Sequence, residues 1–131
     1  MADNDQLQVE LVAADRTVWS GQATMVIART TEGDVGVMRN HAPLLSLLVP
    51  GVVEIRAVEG DDQVAAVDGG FLSVANNRVS ILSEHTVLSH EIDVEQARAD
   101  LEAAEGDSES DDAPERVKSA EARIRAVEKA S

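Results

Sequence analysis

The chain contains 131 residues, carries a formal net charge of −14 and has no cysteine. Its length suits one ordinary domain with a small appendage and excludes two large enzymatic domains, because compact domains most often contain roughly 100–150 residues. The acidity and the scarcity of aromatic side chains, limited to Trp19 and Phe71, argue against nucleic-acid binding, and the absence of cysteine excludes disulfides, thiolate metal sites and thiol nucleophiles.

The first strand is predicted from Leu7, where apolar and polar residues begin to alternate. Leu7, Val9 and Leu11 form the side of this strand that we expect to be buried. Similar runs follow down to about His90, each bounded by turn-forming residues. Many short strands at this spacing favour an antiparallel β-sandwich or barrel with an aliphatic core. The further predicted strands are residues 23–30, 52–58, 63–67, 71–75 and 78–83.

Glycines interrupt this strand region in two places. Gly33 and Gly36 lack the lysine and the helix N-terminus that a phosphate-binding loop requires, so we interpret them as turn and close-contact residues. Gly69 and Gly70 lie in an otherwise apolar run and predict a β-bulge.

The histidines raise the question of catalysis or metal binding. His41 would need an orienting carboxylate and a nucleophile, and the sequence marks neither, so a small hydrolase based on His41 receives the least support. His85 and His90 stand five positions apart, and on a strand such positions face opposite sides. We therefore predict neither a catalytic site nor a metal site.

Beyond His90 the apolar residues adopt helical spacing, which predicts two helices in residues 91–131. Asp93 and Gln96 form a capping-box pattern at the start of the first helix. An acidic linker at residues 106–113 separates the helices, and Pro114 favours the first turn of the second. The predicted apolar stripes are Val94, Ala97, Leu101 and Ala104 on the first helix, and Val117, Ala120, Ile124 and Val127 on the second.

These stripes are narrow and half alanine, so the helical hairpin can bury little apolar surface by itself. It must lean on the β region or on a partner. A weakly held element with two docking surfaces is suited to a conformational switch, and an ordinary surface hairpin is the alternative. The second helix is also the most basic part of the chain, which indicates either a solvated face or attraction to an acidic partner.

Four segments in this order resemble the epsilon subunit of the rotary, F-type ATP synthase: VWSGQAT, GDVGVMRNHAPLL, AVDGGFLSVANNRVSILSE and the helical pair that opens at EID. The resemblance covers nearly the whole chain. It implies a mainly β protein with an α-helical tail. A ten-stranded antiparallel β-sandwich is expected in residues 1–90, followed by a two-helix hairpin in residues 91–131.

The resemblance also implies a function without an active site. In that family the subunit binds the gamma shaft, sits on the membrane c-ring and turns with both, so that proton-driven rotation reaches the catalytic beta subunits. Its hairpin can extend along the shaft and restrain ATP hydrolysis. We therefore expect a peripheral protein on the cytoplasmic face of the bacterial cell membrane. Direct membrane insertion is not expected, because the most apolar window, residues 42–53, is shorter than a membrane span and is broken by Pro50 and Gly51.

The resemblance assigns a role to one group of residues, and a second group receives a role from its positive charge. The polar loop around Asp34, Arg39, Asn40 and His41 is expected to face the c-ring and gamma, while the leucines that follow it belong to the sandwich core. Basic residues of the second helix are expected to meet acidic surface on the alpha or beta subunit. They are Arg116, Lys118, Arg123 and Arg125.

A nucleotide-sensing motif that some family members carry at the start of the first helix is incomplete here. Ile92, Asp93 and Ala97 match it, but Gln96 stands in place of its arginine, which removes a charge-assisted contact to the ligand. Arg98 is displaced by about 200° around the helix. The sequence therefore predicts that Asp93 is a helix cap and argues against an ATP cofactor without excluding one. A free-standing module that responds to ATP is the alternative function.

Overall fold

The computed structural model describes residues 6–130. Its elements are β1 (Leu7–Val12), β2 (Thr17–Thr30), β3 (Gly33–Met38), β4 (Leu44–Ala57), β5 (Gln63–Ala75), β6 (Arg78–Leu82), β7 (Thr86–Leu88), a 3₁₀ turn (Ser89–Glu91), α1 (Val94–Gly106) and α2 (Ala113–Ala130). Two of the strands, β3 and β7, have no counterpart among the predicted ones. The predicted segments 63–67 and 71–75 belong to one continuous strand, β5.

Backbone pairing closes five strands into a ring and divides the β domain into two layers. The ring runs β2–β4–β5–β6–β1 and returns to β2, while β3 and β7 extend it at β2 and β5. We call one layer the hairpin-side layer; it contains, in spatial order, residues 33–38, 25–30, 50–57, 63–68 and 86–88. The open layer contains, in spatial order, residues 17–23, 7–12, 78–82, 70–75 and 44–48.

Three strands take part in both layers, so the predicted count of ten separate strands is wrong for residues 6–130, which contain seven. Strands β2 and β4 have 14 residues each and β5 has 13. Because each long strand supplies one segment to each layer, the two layers together contain ten segments. The prediction of an entirely antiparallel sheet is also wrong at one place, since β1 pairs with β6 in parallel.

Gly69 and Gly70 mark the point at which β5 passes from one layer to the other. Their φ angles are 109° and 113°, in the left-handed region that glycine enters more readily than other residues. The pairing of β5 with β4 keeps one register on both sides of them, so the predicted β-bulge is wrong. A Cβ atom on Gly70 would overlap the carbonyl oxygen of Leu82 and lie 2.9 Å from its carbonyl carbon. Only glycine fits there without a shift of the backbone.

The inward-facing side chains of both layers form one aliphatic core, as predicted. Strand β1 shows the alternation directly, because Leu7, Val9 and Leu11 are buried and the residues between them are not. Trp19 packs only partly against the core, and Phe71 lies at the surface. The largest fully buried side chains are Leu7, Leu11, Ile55, Leu72 and Ile81.

The structure confirms the helical hairpin. Asp93 caps α1, since its Oδ1 accepts the backbone N–H groups of Glu95 and Gln96 at 3.1 and 3.2 Å. The second hydrogen bond of the predicted capping box, between the Gln96 side chain and the backbone of Asp93, is not formed. The Gln96 side chain donates to Asp100 at 2.9 Å instead. Pro114 lies in the first turn of α2, as predicted.

Helix α2 has two buried faces, of which the sequence pattern indicated one. Ala120 lies on the predicted stripe and is buried. The second face carries Ala122 and Ala126, which pack with Ala66 of β5. Their spacing of four residues places them on one side of a helix, so the signal was present in the sequence. The second face joins the hairpin to the β domain.

The substitution Gly70→Ala is expected to lower the free energy of unfolding by about 2 kcal/mol or more, because it combines left-handed backbone strain with the overlap at Leu82. Gly36→Ala is the matched control, since no atom lies within 4 Å of a Cβ there. Urea denaturation followed by circular dichroism measures both variants. Equal stability of the two would contradict the proposed reason for glycine at position 70.

Candidate interaction surfaces

The outer face of the open layer carries large apolar side chains in adjacent positions. Leu47 pairs with Phe71, and Phe71 pairs with Leu82 on the next strand, so the three side chains lie side by side. Their exposed fractions are 52%, 50% and 49%, and that of Leu45 on the same strand as Leu47 is 73%. Val12, opposite Leu82 on β1, extends the surface. We call these five residues the apolar face.

One end of the apolar face deepens into an open pocket of about 330 Å³. Phe71 and Leu82 line it from the strands, and Ala13 and Ala14 line it from the loop between β1 and β2. Because these side chains are apolar, the pocket suits a hydrophobic side chain from a partner protein.

The prediction that the leucines after His41 belong to the core is wrong for two of them. Leu48 is buried and Leu44 packs against the core, whereas Leu45 and Leu47 point outward. The two-residue period of a strand explains the division, because residues 45 and 47 share one face. Sequence reasoning therefore missed the apolar face, although the alternation within this segment could have revealed it.

The predicted polar loop is divided between the two ends of β3. Asp34 is the second residue of β3, next to the β2–β3 turn, whereas Arg39, Asn40 and His41 follow the other end of the strand. At about 3.3 Å of rise per residue, the two groups are roughly 15 Å apart along the strand. Asp34 thus lies in a strand rather than in a loop, and the structure does not bring it together with the other three residues.

The turn at Arg39–His41 rests on the turn between β5 and β6. Asn40 adopts a φ of 66°, and its backbone N–H donates to the side-chain oxygen of Asn77 over 2.6 Å. The Nδ1 atom of His41 lies 2.6 Å from the carbonyl oxygen of the neighbouring Ala42. The backbone of the turn is therefore fixed, while Arg39 and Asn40 remain exposed.

Asp34 belongs to a cluster of charges beneath the end of α2. The Nε–H of Arg29 donates to its carboxylate over 3.0 Å, and this hydrogen bond is the main cause that lowers the pKa of Asp34. Lys129 forms an ion pair with Glu54 at 3.5 Å, and its positive charge also lowers the pKa of Asp34. Arg125 lines the same small hollow. The C-terminal end of α2 thus lies close to the β2–β3 turn.

The four basic residues predicted to meet a partner divide into two pairs. Arg116 binds two linker carboxylates at 2.7 and 3.3 Å, and Arg123 binds Asp100 of α1 at 3.1 Å. Both guanidinium groups are therefore occupied within the hairpin. Lys118 and Arg125 lie on exposed positions of α2.

Small side chains hold α2 against the hairpin-side layer. Ala122 and Ala126 pack on Ala66, and the side chains around them are half-buried and apolar. The hydroxyl of Ser119 donates to the carboxylate of Asp68 at 2.7 Å, and the ion pair at the end of α2 adds a second polar contact. The surrounding apolar residues are Val52, Val64, Val87 and Ile92.

The residues of the incomplete nucleotide motif have structural contacts. Asp93 caps α1, which confirms that prediction, while Ala97 is buried and Ile92 packs against the alanine contact. Arg98 pairs with Glu95 at 3.2 Å on the exposed side of α1. A cleft of about 840 Å³ opens beneath the linker end of the hairpin, and none of the motif residues lines it.

His85 takes part in hydrogen bonds through its backbone. The carbonyl oxygen of His85 accepts the backbone N–H of Asp68 at 3.2 Å and the hydroxyl of Ser83 at 3.1 Å. Within residues 6–130, no three side chains of His, Asp or Glu are placed to hold a metal ion. None of the helices in that range has the length and apolarity needed to cross a membrane.

Comparison with known proteins gives a family match over the β domain. Residues 6–89 match the model described as ATP synthase, Delta/Epsilon chain, beta-sandwich domain. The ATP synthase epsilon chain of Streptomyces griseus is 59% identical over 92 residues, covering 70% of this chain and 74% of that protein. The epsilon chain of Corynebacterium efficiens is 50% identical over 95 residues, covering 72% and 77%.

Solved structures show similar folds. A chain in the mitochondrial ATP synthase of Euglena gracilis, from a cryo-EM structure of its OSCP, F1 and c-ring, matches with a TM-score of 0.76 and 28% identity, covering 96% of this chain and 81% of its own. A chain in the central stalk and c-ring structure of the Tetrahymena thermophila mitochondrial ATP synthase matches with a TM-score of 0.59 and 20% identity. This match covers 95% of each chain, and at 20% identity it shows that the two chains share a fold and no more than that.

The ion pair between Arg123 and Asp100 is expected to stabilise the hairpin in a pH-dependent way. Hydrogen bonds from Gln96 and then Arg123 lower the pKa of Asp100 below its ordinary value of 3.8. Because the folded pKa is the lower one, the stabilisation is complete above pH 3.8 and is lost as the pH falls through the folded value. The stability difference between Arg123→Met and the parent should therefore be constant from about pH 5 to 7 and shrink below about 3.8.

Urea unfolding followed by helical circular dichroism measures that difference at each pH. Arg98→Met is the matched control, because it removes an exposed pair within α1 and leaves the contact between the helices intact. If the difference in the free energy of unfolding between Arg123→Met and the parent is the same at pH 3 as at pH 7, the arginine acts through packing of the aliphatic part of its side chain and not through the ion pair.

Proposed function

Because the chain belongs to the ATP synthase epsilon-chain family, whose members are non-catalytic subunits of the central stalk, we propose that it couples rotation of the membrane c-ring to ATP synthesis. In this proposal the β domain is held between the gamma shaft and the c-ring and transmits torque between them. The protein then works at the cytoplasmic face of the bacterial membrane as part of the synthase and carries no catalytic residue itself.

The apolar face is the observation that carries this proposal. Leu45, Leu47, Phe71 and Leu82 are each about half exposed or more and form one continuous surface. Contiguous apolar surface of this kind on a folded domain indicates a protein-binding site. We assign it to gamma, because a shaft that turns with this subunit needs a contact that does not slip, and burial of large side chains supplies one.

The two ends of β3 support separate contacts. The Arg39–His41 turn continues into the edge of the apolar face, since Leu45 follows it closely in β4. We assign Arg39, Asn40 and His41 to the same contact with gamma. Asp34, next to the β2–β3 turn at the far end of β3, is assigned to the polar loops of the c-ring.

The hairpin supports a regulatory role. The fully buried side chains of its contact with the β domain are alanines, surrounded by half-buried valine and isoleucine. Burial of an alanine contributes far less than burial of a leucine. We propose that the hairpin leaves this position, extends along gamma and restrains ATP hydrolysis. If the two helices also separate as the hairpin extends, Arg123 leaves Asp100 of α1. Arg116, Lys118, Arg123 and Arg125 then meet acidic surface on the alpha or beta subunit.

The substitution Leu82→Glu is expected to weaken binding of the isolated gamma subunit by at least about tenfold, because it places a charge between Phe71 and Val12 on the apolar face. Calorimetric titration of the full chain with gamma measures the affinity. Val58→Glu is the matched control, since Val58 is also exposed but lies outside the apolar face. Unchanged binding by Leu82→Glu, with its circular dichroism spectrum preserved, would refute the assignment of this face.

A disulfide between Asp68→Cys and Ser119→Cys tests the regulatory role. These residues are in direct contact when the hairpin is docked, and the chain has no other cysteine. In the reconstituted synthase, oxidation should fix the hairpin and raise ATP hydrolysis to the level of a variant that lacks residues 113–131. Reduction should restore the lower rate.

The single variant Ser119→Cys is the control for oxidation. If neither the disulfide nor the deletion changes the hydrolysis rate, the hairpin does not restrain the enzyme. If the deletion alone raises the rate, the docked hairpin itself inhibits, and the proposed extension is wrong.

A further inference from the structure

An ion pair joins the loop before β2 to the last residue of the 3₁₀ turn. Arg16 Nη1 donates to Glu91 Oε2 at 3.1 Å, and Arg16 Nη2 donates to Glu91 Oε1 at 2.9 Å. The two residues are 75 positions apart in the sequence. A bidentate contact of this kind fixes the relative orientation of the two side chains as well as their distance. A single hydrogen bond between exposed charges does not fix the orientation.

Both partners of this ion pair are anchored in the β domain. The carbonyl oxygen of Arg16 accepts the backbone N–H of Ala13 at 2.8 Å, which closes the loop between β1 and β2. Glu91 Oε1 also accepts the backbone N–H of Leu88 at 3.0 Å. The hydrogen bonds to Arg16 and then Leu88 lower the pKa of Glu91. The 3₁₀ turn is therefore held from two sides.

The backbone becomes extended directly after Glu91. Ile92 and Asp93 adopt extended conformations, with φ and ψ of −85° and 127° and of −86° and 105°. They separate the 3₁₀ turn from α1, whose first turn is capped by the Asp93 side chain. A short extended joint between two hydrogen-bonded elements is the place where a rigid-body rotation meets least resistance.

We propose that the Arg16–Glu91 pair is a hinge clamp, which keeps the 3₁₀ turn with the β domain and places the pivot of the hairpin at Ile92–Asp93. The clamp also connects two surfaces, because the loop that presents Arg16 contributes Ala13 and Ala14 to the pocket of the apolar face. A partner that fills this pocket orders the loop and strengthens the clamp. This second step rests on the proposed docking of gamma, whereas the first does not.

Amide hydrogen exchange of the full chain tests the clamp. In Arg16→Ala, exchange at Leu88 and Ile92 should accelerate on the order of two- to five-fold, because the ion pair no longer holds the turn. Arg16→Lys keeps the charge but loses the fork geometry and should accelerate exchange as well. Amides in the middle of β5 report global stability and should not change.

Arg98→Ala is the matched control, because it removes an exposed pair on α1 that lies beyond the proposed pivot. Its exchange at Leu88 and Ile92 should equal that of the parent. Unchanged exchange in Arg16→Ala, or equal acceleration in Arg98→Ala, would overturn the clamp.

Addition of the isolated gamma subunit tests the connection between the two surfaces. Gamma should slow exchange at Leu88 and Ile92 in the parent chain and leave it unchanged in Arg16→Ala. If gamma binds both chains and affects these amides equally, the connection is wrong while the docking proposal stands. If gamma binds neither chain, the docking proposal fails while the result on the isolated chain still decides the clamp.

Discussion

The continuity of β2, β4 and β5 through both layers is the constraint on which the rest of the structure depends. Two separate sheets packed on an aliphatic core could slide against each other, whereas strands shared between the layers resist this through their backbone hydrogen bonds. The turn of β5 at Gly69–Gly70 makes one of these passages possible. The resulting β domain can carry a contact on each outer face and transmit force from one to the other.

The two outer faces differ in the size of their side chains. The open layer presents leucine and phenylalanine, while the hairpin-side layer meets α2 through alanine and half-buried valine. Since each buried methylene group contributes about 0.8 kcal/mol, large side chains favour a lasting contact and alanine favours a reversible one. Side-chain volume therefore supports the proposed division of the surface into a permanent and an exchangeable contact.

The elements in which apolar residues recur at regular spacing are predictable from the sequence, among them β1 and both helices. The long strands are not, because turn-forming residues such as Gly69 and Pro50 lie inside them, and a local pattern cannot distinguish a passage between layers from a turn. The apolar face is missed because Leu45 and Leu47 are assigned to the core by family resemblance, and the two-residue period of a strand is not applied to them. The separation of Asp34 from His41 depends on β3, which the sequence reading did not predict.

The distribution of charge gives the acidic linker a function besides solubility. In the docked hairpin, Arg116 is neutralised by linker carboxylates and Arg123 by Asp100. In the proposed extended state, in which the helices separate, acidic surface of another subunit replaces Asp107 and Asp100 as partners, so extension exchanges one set of ion pairs for another. The net electrostatic change is then small and depends on salt. When Arg116 leaves Asp107, less of the negative charge around the linker is neutralised, and repulsion among the linker carboxylates favours the return of the helix.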